Sequence, residues 1–492
     1  MSFGWKVVHG GKTPPPGEAV APEERLSWGR TAGLGAQHVV AMFGATFVFP
    51  ILMGLNPQLA IMMSGIATIL FLLIVQGKVP SYLGTSASFV GGSAAIYAQG
   101  GDPADVTGAV LVAGLVLALV GVLIHVSGTA VLHRLLPPVV TGAVVMLIGF
   151  NLAPVVSSVY WPQDQWVALL TMTAVILMAV GLRGFLGRIA IFLGLVFGYA
   201  LSWVFDRFGK VTSVLPGQNL LGPDGQPCDS EGPYCVATAF AHDRVDWSRV
   251  KEADWFGLPP VSDFANGVVG FHTPTFSLAF VLLMLPAVIA LVAENTGHVK
   301  AVAEMTERDL DPVMGRAIAA DGAATVLASA VGGGPTTTYA ENIGVMAATR
   351  VYSTAAYYVA ALTAILFGLS PKFGEVISAT PGGVLGGITV VLYGMIGLLG
   401  AKIWAENGVD FAKPVNLVPI AAGIIIAIGD TTLRITDDFV LSGIALGTIV
   451  ALVAYHLARV VAPAEMRDDG AVLVVGGPGA QHEDEIPGRK HD

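Results

Sequence analysis

This chain of 492 residues is apolar, rich in glycine and poor in charge. Hydrophobic residues make up 54 % of it and charged residues only 12 %, whereas a typical soluble domain carries about 25 % charged residues. So few charges could not cover a water-facing surface, which excludes a soluble enzyme and a disordered chain. The net charge of −10 argues against a nucleic-acid binder. The composition, with its 61 glycines, is typical of a membrane protein built from closely packed helices.

The first residues, 1–30, form a polar segment with a Pro14–Pro16 run and several acidic side chains. No apolar stretch precedes a small-residue cleavage site here, so the pattern predicts a flexible cytoplasmic tail rather than a signal peptide.

Two groups of apolar segments follow, separated by a polar loop over 207–275. Most are close to the ~20 residues that a bilayer-spanning helix needs. They lie near 33–54, 57–76, 82–98, 106–127, 135–154, 166–182 and 187–205, and near 276–299, 315–331, 336–349, 351–370, 381–400, 415–430 and 438–460. The sequence therefore predicts an all-α polytopic fold of fourteen spans, with a polar tail at 463–492.

The distribution of Lys and Arg predicts the orientation. They concentrate in the segments on the side of the N-terminus, which places both termini in the cytoplasm. Because each group has an odd number of spans, the second must enter the membrane in the opposite direction, as in the inverted repeats of secondary transporters. The similar stretches P-P-V-V-T-G (137–142) and P-G-G-V-L-G (381–386) each open the fifth span of their group.

The third span of each group is short and interrupted. Gly332–Gly334 and Pro335 disfavour a helix, and Thr336–Thr338 favour an extended chain. A helix is predicted to resume near Glu341, which would leave backbone N–H groups free at its start. In the first group we expect Ser86–Phe89 to be extended and to pair with this segment. Matching interruptions point to a transport site, although Gly and Pro are also simply common in membrane helices.

Few titratable residues lie inside the predicted spans, because placing a charged side chain in the bilayer costs free energy. A charge at mid-membrane costs at least ~2.5–3.5 kcal/mol of insertion free energy, so Glu294 in the eighth span is a candidate functional residue. His298 lies one helical turn further on, and together they could hold or pass a proton, or merely join neighbouring helices. Glu341 is a second intramembrane carboxylate. His38 occupies the corresponding place in the first group, as a proton-handling group or as a packing histidine.

Two carboxylates beside free backbone N–H groups suit a small planar ligand that offers both N–H and C=O groups. Pyrimidines and oxopurines have such an edge, whereas sugars lack it and inorganic anions would be repelled. The sequence holds no catalytic set such as H-E-x-x-H, so we expect no enzyme, no cofactor and no metal. Asp430 is expected to be an exposed cap, and Cys228 and Cys235 form either one disulfide or two free thiols.

These residues carry a family resemblance. The stretch E-N-I-G-V-M-A-A-T-R (341–350) resembles the signature of the nucleobase–ascorbate transporter family. Q-H-V-V-A-M-F-G-A-T (37–46), A-E-N-T-G-H (293–298) and T-T-Y-A-E-N-I-G-V-M (337–346) are similar to its uracil and pyrimidine permeases. The resemblance covers residues 25–460. It implies a core domain over 31–130 and 276–370 and a gate domain over 131–206 and 371–462, with 207–275 as an extracytoplasmic loop.

The resemblance also implies roles for particular residues. Base binding falls to Glu294 and Glu341, with backbone contacts at Ala87 and Ala340, and with Tyr339 and Tyr393 lining the pocket. We also expect Phe89, in the first interrupted span, to contact the base. The resemblance links His298 to proton coupling, and from the residues themselves we expect Glu294 and His38 to take part. Glu341 is typical of the uracil branch, since xanthine and urate members usually carry Gln there. The uracil permease of the family has Phe and Gly in place of Ala87 and Ala340, so pocket width and base preference stay open.

We therefore expect proton-coupled uptake of a pyrimidine base, uracil first, across the cytoplasmic membrane by alternating access. The alternatives are a purine or xanthine permease of the same family and an anion transporter of the same fold. The expected partners are a nucleobase, a proton and membrane lipid, with a possible homodimer and no nucleic acid.

Overall fold

The computed structural model describes residues 4–15, 17–128, 136–183, 185–214, 220–221, 236–237, 239–429, 431–436, 439–463 and 466. Cys228, Cys235 and Asp430 lie outside them, so the expectations for these three residues stay predictions. The described chain is mostly helical. By length and apolar composition, 7 of its helical stretches could cross a membrane, or 8 if a bent pair counts as one span, and four shorter apolar helices accompany them.

The helices of the first half begin at well-defined caps. The Asn56 side chain accepts from the Leu59 N–H, Asp102 forms a capping box with Asp105, and the Asp164 carboxylate accepts from the Val167 N–H. The principal helices here are α1 (Trp28–Ala41, continued after Met42 as Phe43–Leu52), α2 (Pro57–Ile74), α3 (Val90–Ala98), α4 (Pro103–Ser127), α5 (Pro138–Phe150), α6 (Gln165–Gly181) and α7 (Ala190–Phe205). Short helical pieces follow α5 and α6: Ala153–Val155, Val156–Tyr160, Trp161–Gln163 and Phe185–Arg188.

The helices of the second half depart from the predicted bounds at several ends. They are α8 (Leu278–Thr306), α9 (Asp311–Ser329), α10 (Ala340–Thr349), α11 (Thr354–Gly368), α12 (Gly382–Glu406), α13 (Pro414–Ile428) and α14 (Gly443–Val461). Both α8 and α12 continue past the predicted apolar segments. The last helix starts later than predicted because Phe439–Ser442 pairs with Thr432–Thr436 in a hairpin. A short helix, Pro371–Ser378, was not predicted and turns 83° away from α11.

Two short strands meet between the interrupted helices. Leu83–Thr85 (β1) and Thr336–Thr338 (β2) pair antiparallel, with Leu83 opposite Thr338. All of these residues are buried, so each strand supplies the hydrogen bonds that the other would lack. The pairing and the position of β2 confirm the prediction.

The predicted position of the first extended segment is wrong. Ser86–Phe89 is not extended, because the Ser86 hydroxyl accepts from the Ser88 N–H (3.3 Å) and starts a 3-10 turn over Ala87–Phe89 that leads into α3. The strand therefore ends at Thr85. Ser86 still bonds across the break, since its N–H donates to the Pro335 carbonyl (3.0 Å).

Glycines allow several helix pairs to approach closely. The main packed pairs are α4 with α9, α5 with α12, α13 with α14, and α2 with α11. Between α5 and α12, a Cβ added at Gly149 would lie 2.2 Å from the Gly397 nitrogen, and between α4 and α9 one added at Gly322 would lie 2.4 Å from the Ala118 nitrogen. The two backbones touch at these points, which is the close packing that the glycine content predicts.

The loop between the two halves is held to the helix ends. Within its described parts, Val211–Ser213 pairs with Phe240–His242 and Leu220–Leu221 pairs with Val236–Ala237, and the short helices Ser248–Glu252 and Phe264–Asn266 follow. The Arg244 guanidinium donates to Asp164 at the start of α6 (2.6 Å) and to Asp206 after α7 (3.2 Å). All three side chains are largely buried, so this ion-pair cluster anchors the loop.

The N-terminal segment packs against the protein. Lys6–Val7 pairs with Glu24–Arg25, the Val20 N–H donates to the Arg350 carbonyl (2.9 Å), and the Tyr352 N–H donates back to Val20 (2.8 Å). The prediction of a flexible tail is therefore wrong for the described residues 4–15 and 17–27. The reason is apolar burial, since Val20 and Leu26 form a small core with Val351.

Candidate functional site

A cavity of about 800 Å³ lies between two groups of helices. One wall comes from α1, the turn before α3, α8 and α10, and the other comes from α5 and α12. The first wall consists of Phe49, Ala87, Ser88, Ala290, Ala293, Glu294, Gly297, His298, Ala301, Tyr339, Ala340, Glu341, Ile343, Gly344 and Ala347. The second consists of Thr141, Val145, Ile148, Leu392, Ile396, Leu399, Lys402, Ile403 and Glu406.

The polar groups at the depth of the interrupted helices belong to the first wall. Glu294 is contributed by α8, and Glu341 lies in the first turn of α10 directly after β2. Tyr339 is the N-cap residue of α10, and its side chain makes no capping hydrogen bond. The site thus combines carboxylate acceptors with backbone N–H donors, as the interrupted sequence predicts. The facing part of the second wall is mainly aliphatic.

His298 belongs to a chain of polar contacts that runs away from the cavity. Its Nδ1 lies 2.8 Å from the Thr338 hydroxyl, which donates to the Asn295 side-chain oxygen (2.8 Å). The Asn295 amide donates in turn to the Asp321 carboxylate (2.7 Å). The Nδ1 partner of His298 is therefore Thr338 on β2 rather than Glu294 on its own helix.

Asp321 is a further buried carboxylate, outside the predicted set of site residues. It lies on α9 with no side-chain exposure, behind Asn295 as seen from His298. The signal for it was present, because an aspartate in the apolar stretch A-A-D-G-A (319–323) carries the same insertion cost as Glu294.

Three of the predicted site residues lie away from the cavity wall in the described structure. His38 is buried, with its Nδ1 2.7 Å from the Asn342 side-chain oxygen and its ring 4.4 Å from that of Tyr357. Phe89 and Tyr393 pack into the main hydrophobic core. The other predicted residues, Ala87, Glu294, His298, Tyr339, Ala340 and Glu341, are brought together on one wall.

The sequence predicts the helices α5 and α12 themselves, but it does not predict which of their residues line the second wall of the cavity. Thr141, Val145 and Ile148 on α5 and Leu392 and Ile396 on α12 line the cavity at helical spacing. Their types are those of ordinary core residues, so nothing in the sequence distinguishes them. The predicted cavity residue on α12 is Tyr393, but in the structure its neighbour Leu392 lines the cavity and Tyr393 packs into the core.

The cavity opens toward the N-terminal segment. From Glu294 it follows α8 to Glu304, ten residues further along and therefore about 15 Å away. Charged residues surround this mouth: Glu304, Glu307, Arg350, Lys402 and Glu406. Gly17 and Ala19 of the N-terminal segment also belong to its lining.

Within the described residues, no group of three or more His, Cys, Asp or Glu side chains could hold a metal ion.

A family model described as "Permease family" matches residues 29–436. The chain belongs to this family. The match confirms the family resemblance drawn from the sequence motifs, and it makes the protein a membrane permease rather than an enzyme.

Several relatives resemble the chain over most of its length. It is 44 % identical over 440 residues to RutG of Escherichia coli (strain K12), a protein whose name describes it as a pyrimidine permease, with coverage of 88 % of this chain and 90 % of that protein. It is 35 % identical over 444 residues to the uracil permease of Bacillus caldolyticus, covering 87 % and 92 %. It is 33 % identical over 463 residues to the uracil permease of Escherichia coli (strain K12), covering 91 % and 96 %.

Solved structures show that the fold is one of membrane transporters. The transmembrane domain of the cyanobacterial bicarbonate transporter BicA aligns with a TM-score of 0.52 at 14 % identity, covering 87 % of this chain and 96 % of that one. Murine Slc26a9, an anion transporter in its inward-facing state, aligns with a TM-score of 0.58 at 10 % identity, covering 89 % and 69 %. At such identity the likeness concerns the fold alone. Together with the apolar helices, it describes a multi-pass membrane protein.

Proposed function

We propose that this permease imports a pyrimidine nucleobase, with uracil as the preferred base, together with a proton across the cytoplasmic membrane. The observation that carries the proposal is the placement of Glu294 and Glu341 on one cavity wall beside the start of α10. Relatives named as uracil and pyrimidine permeases support the same substrate class.

The chemistry of a pyrimidine dione matches these groups. Its ring N–H groups would donate to the Glu294 and Glu341 carboxylates, which only accept when ionised. Its ring carbonyls would accept from backbone N–H groups at Ala340 and at the turn that contains Ala87. The small side chains at these two positions leave room beside the base, so thymine and oxopurines are the competitors to test.

We further propose that the helices form fourteen spans in two inverted repeats, with α1–α4 and α8–α11 as the core and α5–α7 and α12–α14 as the gate. The packing supports this division. The repeat symmetry would exchange each helix of the first half with the helix seven places later. The packed pair α2–α11 would then become α4–α9, and α5–α13 would become α6–α12. The pairs α5–α12 and β1–β2 would map onto themselves. The polar site lies on the core wall and the aliphatic wall belongs to the gate.

The proposed cycle moves the core against the gate. With cytoplasmic termini, the open mouth beside Gly17 and Ala19 would be the exit to the cytoplasm. A proton and a base would bind from outside, cross with the core and leave inward. We assign proton coupling to His298 and Glu294. We assign to His38 the packing role, because its Nδ1 is bonded to Asn342 and its ring lies off the cavity wall.

The solved neighbours include anion transporters, which makes an inorganic anion the competing substrate class. The two carboxylates argue against it, because they would repel an anion at the depth where the interrupted helices meet.

Uptake by proteoliposomes tests the proposal. We expect labelled uracil to accumulate when the interior is alkaline and an uncoupler to abolish that accumulation. Unlabelled thymine, xanthine, uric acid and bicarbonate serve as competitors. Uptake that an uncoupler does not inhibit would refute proton coupling. Competition by bicarbonate but not by any base would refute the substrate class.

A further inference from the structure

The chain of contacts behind His298 has a direction that the structure determines. The Asn295 Nδ2 group donates to the Leu291 carbonyl (2.9 Å) as well as to Asp321 (2.7 Å). A backbone carbonyl can only accept, so the Leu291 contact alone fixes which end of the Asn295 amide is nitrogen. The Asn295 oxygen must then be the atom that faces Thr338.

The Thr338 hydroxyl has a single proton, and it donates that proton to the Asn295 oxygen (2.8 Å). Toward His298 the hydroxyl can therefore only accept. The His298 Nδ1 at 2.8 Å must be the donor and must carry a hydrogen atom. The tautomer of a neutral histidine is set by the partner of one ring nitrogen, so Nε2 is left with the lone pair.

We propose that Thr338 and Asn295 are positioning residues that hold neutral His298 in its Nδ1–H tautomer, so that Nε2 is the proton acceptor of the transport site. The inference rests on the proposed proton-coupled uptake and deepens it by naming the atom. When a proton from the aqueous phase binds, a new N–H bond forms at Nε2 and the imidazolium keeps its Nδ1–H bond to Thr338. No other hydrogen bond of the chain has to reverse, so the ring can take up and release the proton without turning.

Several charged and titratable groups lie around His298. Glu294 precedes it by one turn on α8, Glu341 and Tyr339 come from α10 and its cap, and Asp321 lies on α9 behind Asn295. The remaining charged residues of the cavity, Glu304, Glu307, Arg350, Lys402 and Glu406, surround its mouth.

Nitrogen NMR on the full-length protein in lipid tests the tautomer directly. The protein has 10 histidines, so ring-labelled protein is compared with the His298→Gln variant to assign the signals of His298. We expect the hydrogen of neutral His298 on Nδ1 in the unmodified protein and a shift toward the Nε2–H form in Thr338→Val. A Nε2–H tautomer in the unmodified protein would overturn the inference.

Transport then tests the positioning role. Thr338→Val should change the pH profile of uracil uptake and lower proton-driven accumulation about fivefold, the effect of losing one hydrogen bond of typical strength. Thr338→Ser, which keeps the hydroxyl, should restore both. Thr336→Val on the same strand is the matched control, since the Thr336 hydroxyl has only a long 3.4 Å contact with Thr325. Uracil binding at equilibrium shows that each variant is folded.

The outcomes separate the two proposals. If His298→Gln leaves the pH profile of uptake unchanged, His298 has no part in proton coupling and the functional assignment fails. If His298→Gln changes the profile and Thr338→Val does not, the assignment stands and the positioning role is overturned. A purely structural network would lower the stability of Thr338→Val and leave its pH profile like that of the unmodified protein.

Discussion

The His38 imidazole donates a hydrogen bond from Nδ1 to the Asn342 side-chain oxygen at 2.7 Å, joining the first helix to the tenth. An amide oxygen only accepts, so the hydrogen lies on Nδ1. Asn342 follows Glu341 directly on α10. His38 therefore holds in place the helix that presents the candidate binding carboxylate, and it does so from a buried position off the cavity wall.

Replacing His38 tests whether this residue contributes to helix packing or to proton coupling. His38→Ala should lower the free energy of unfolding by roughly 1–3 kcal/mol, because it leaves the buried Asn342 side chain without its partner. Uracil affinity should fall with it, and the pH profile of uptake should keep its shape. Thermal unfolding in detergent and uptake between pH 5 and 8 measure the two effects. A shifted profile in this variant would instead support a proton-handling His38.

Glu341→Gln should abolish uracil uptake or redirect it toward another base while leaving expression intact. A glutamine at this position still accepts through its oxygen but also presents an NH₂ group, which cannot pair with a ring N–H. Competition of bases against labelled uracil in proteoliposomes measures the change. The control is Glu304→Gln at the cavity mouth, where we expect uptake close to that of the unmodified protein. Unchanged uptake by Glu341→Gln would remove Glu341 from the site.

The ion pair between Glu23 and Arg308 should make docking of the N-terminal segment depend on pH. Arg308 donates two hydrogen bonds to the Glu23 carboxylate (2.5 and 3.0 Å) and thereby lowers the pKa of Glu23 below its usual 4.5. A lowered pKa means that the stabilisation is complete above pH 4.5 and is lost as the pH falls through the folded-state value. Because the two side chains are 62 % and 42 % exposed, the pair contributes less than about 1 kcal/mol.

Limited proteolysis of the N-terminal segment measures this docking. Glu23→Gln should be cleaved a few times faster than the unmodified protein at pH 7, and the difference should vanish at low pH and in high salt. A difference that persists under both conditions would show that the carboxylate acts through something other than its charge.

The contact between α5 and α12 tests the close packing of the helices. Gly149→Ala places a methyl group 2.2 Å from the Gly397 nitrogen, so the helices must separate at a cost of about 1–3 kcal/mol. Gly394→Ala on the same helix α12 meets nothing within 4 Å and serves as the control. We expect a lower melting temperature for Gly149→Ala and no decrease for Gly394→Ala. Equal melting temperatures would contradict the packing.

The sequence alone determined the features that depend on local free energies. The cost of exposing polar backbone and charge to lipid is set residue by residue, so apolar length located the helices and the rare charges identified Glu294 and Glu341. The run of glycines before Thr336–Thr338 located the second strand for the same reason, because it raises the local cost of a helix. The prediction of an extended Ser86–Phe89 segment is wrong because the Ser86 side chain caps a 3-10 turn, and this cap outweighs the tendency of the neighbouring residues to form a strand.

The contacts that those residues make depend on how the chain folds in three dimensions. The aliphatic wall on α5 and α12, the docked N-terminal segment and the partners of His38 and His298 all join residues far apart in the chain. Hydropathy carries no information about such pairs, because an aliphatic residue that faces a cavity has the same hydropathy as one in the core. The direction of the hydrogen bonds that link Asp321, Asn295, Thr338 and His298 could not be predicted from the sequence for the same reason. It follows from the donors and acceptors that the fold places within hydrogen-bonding distance.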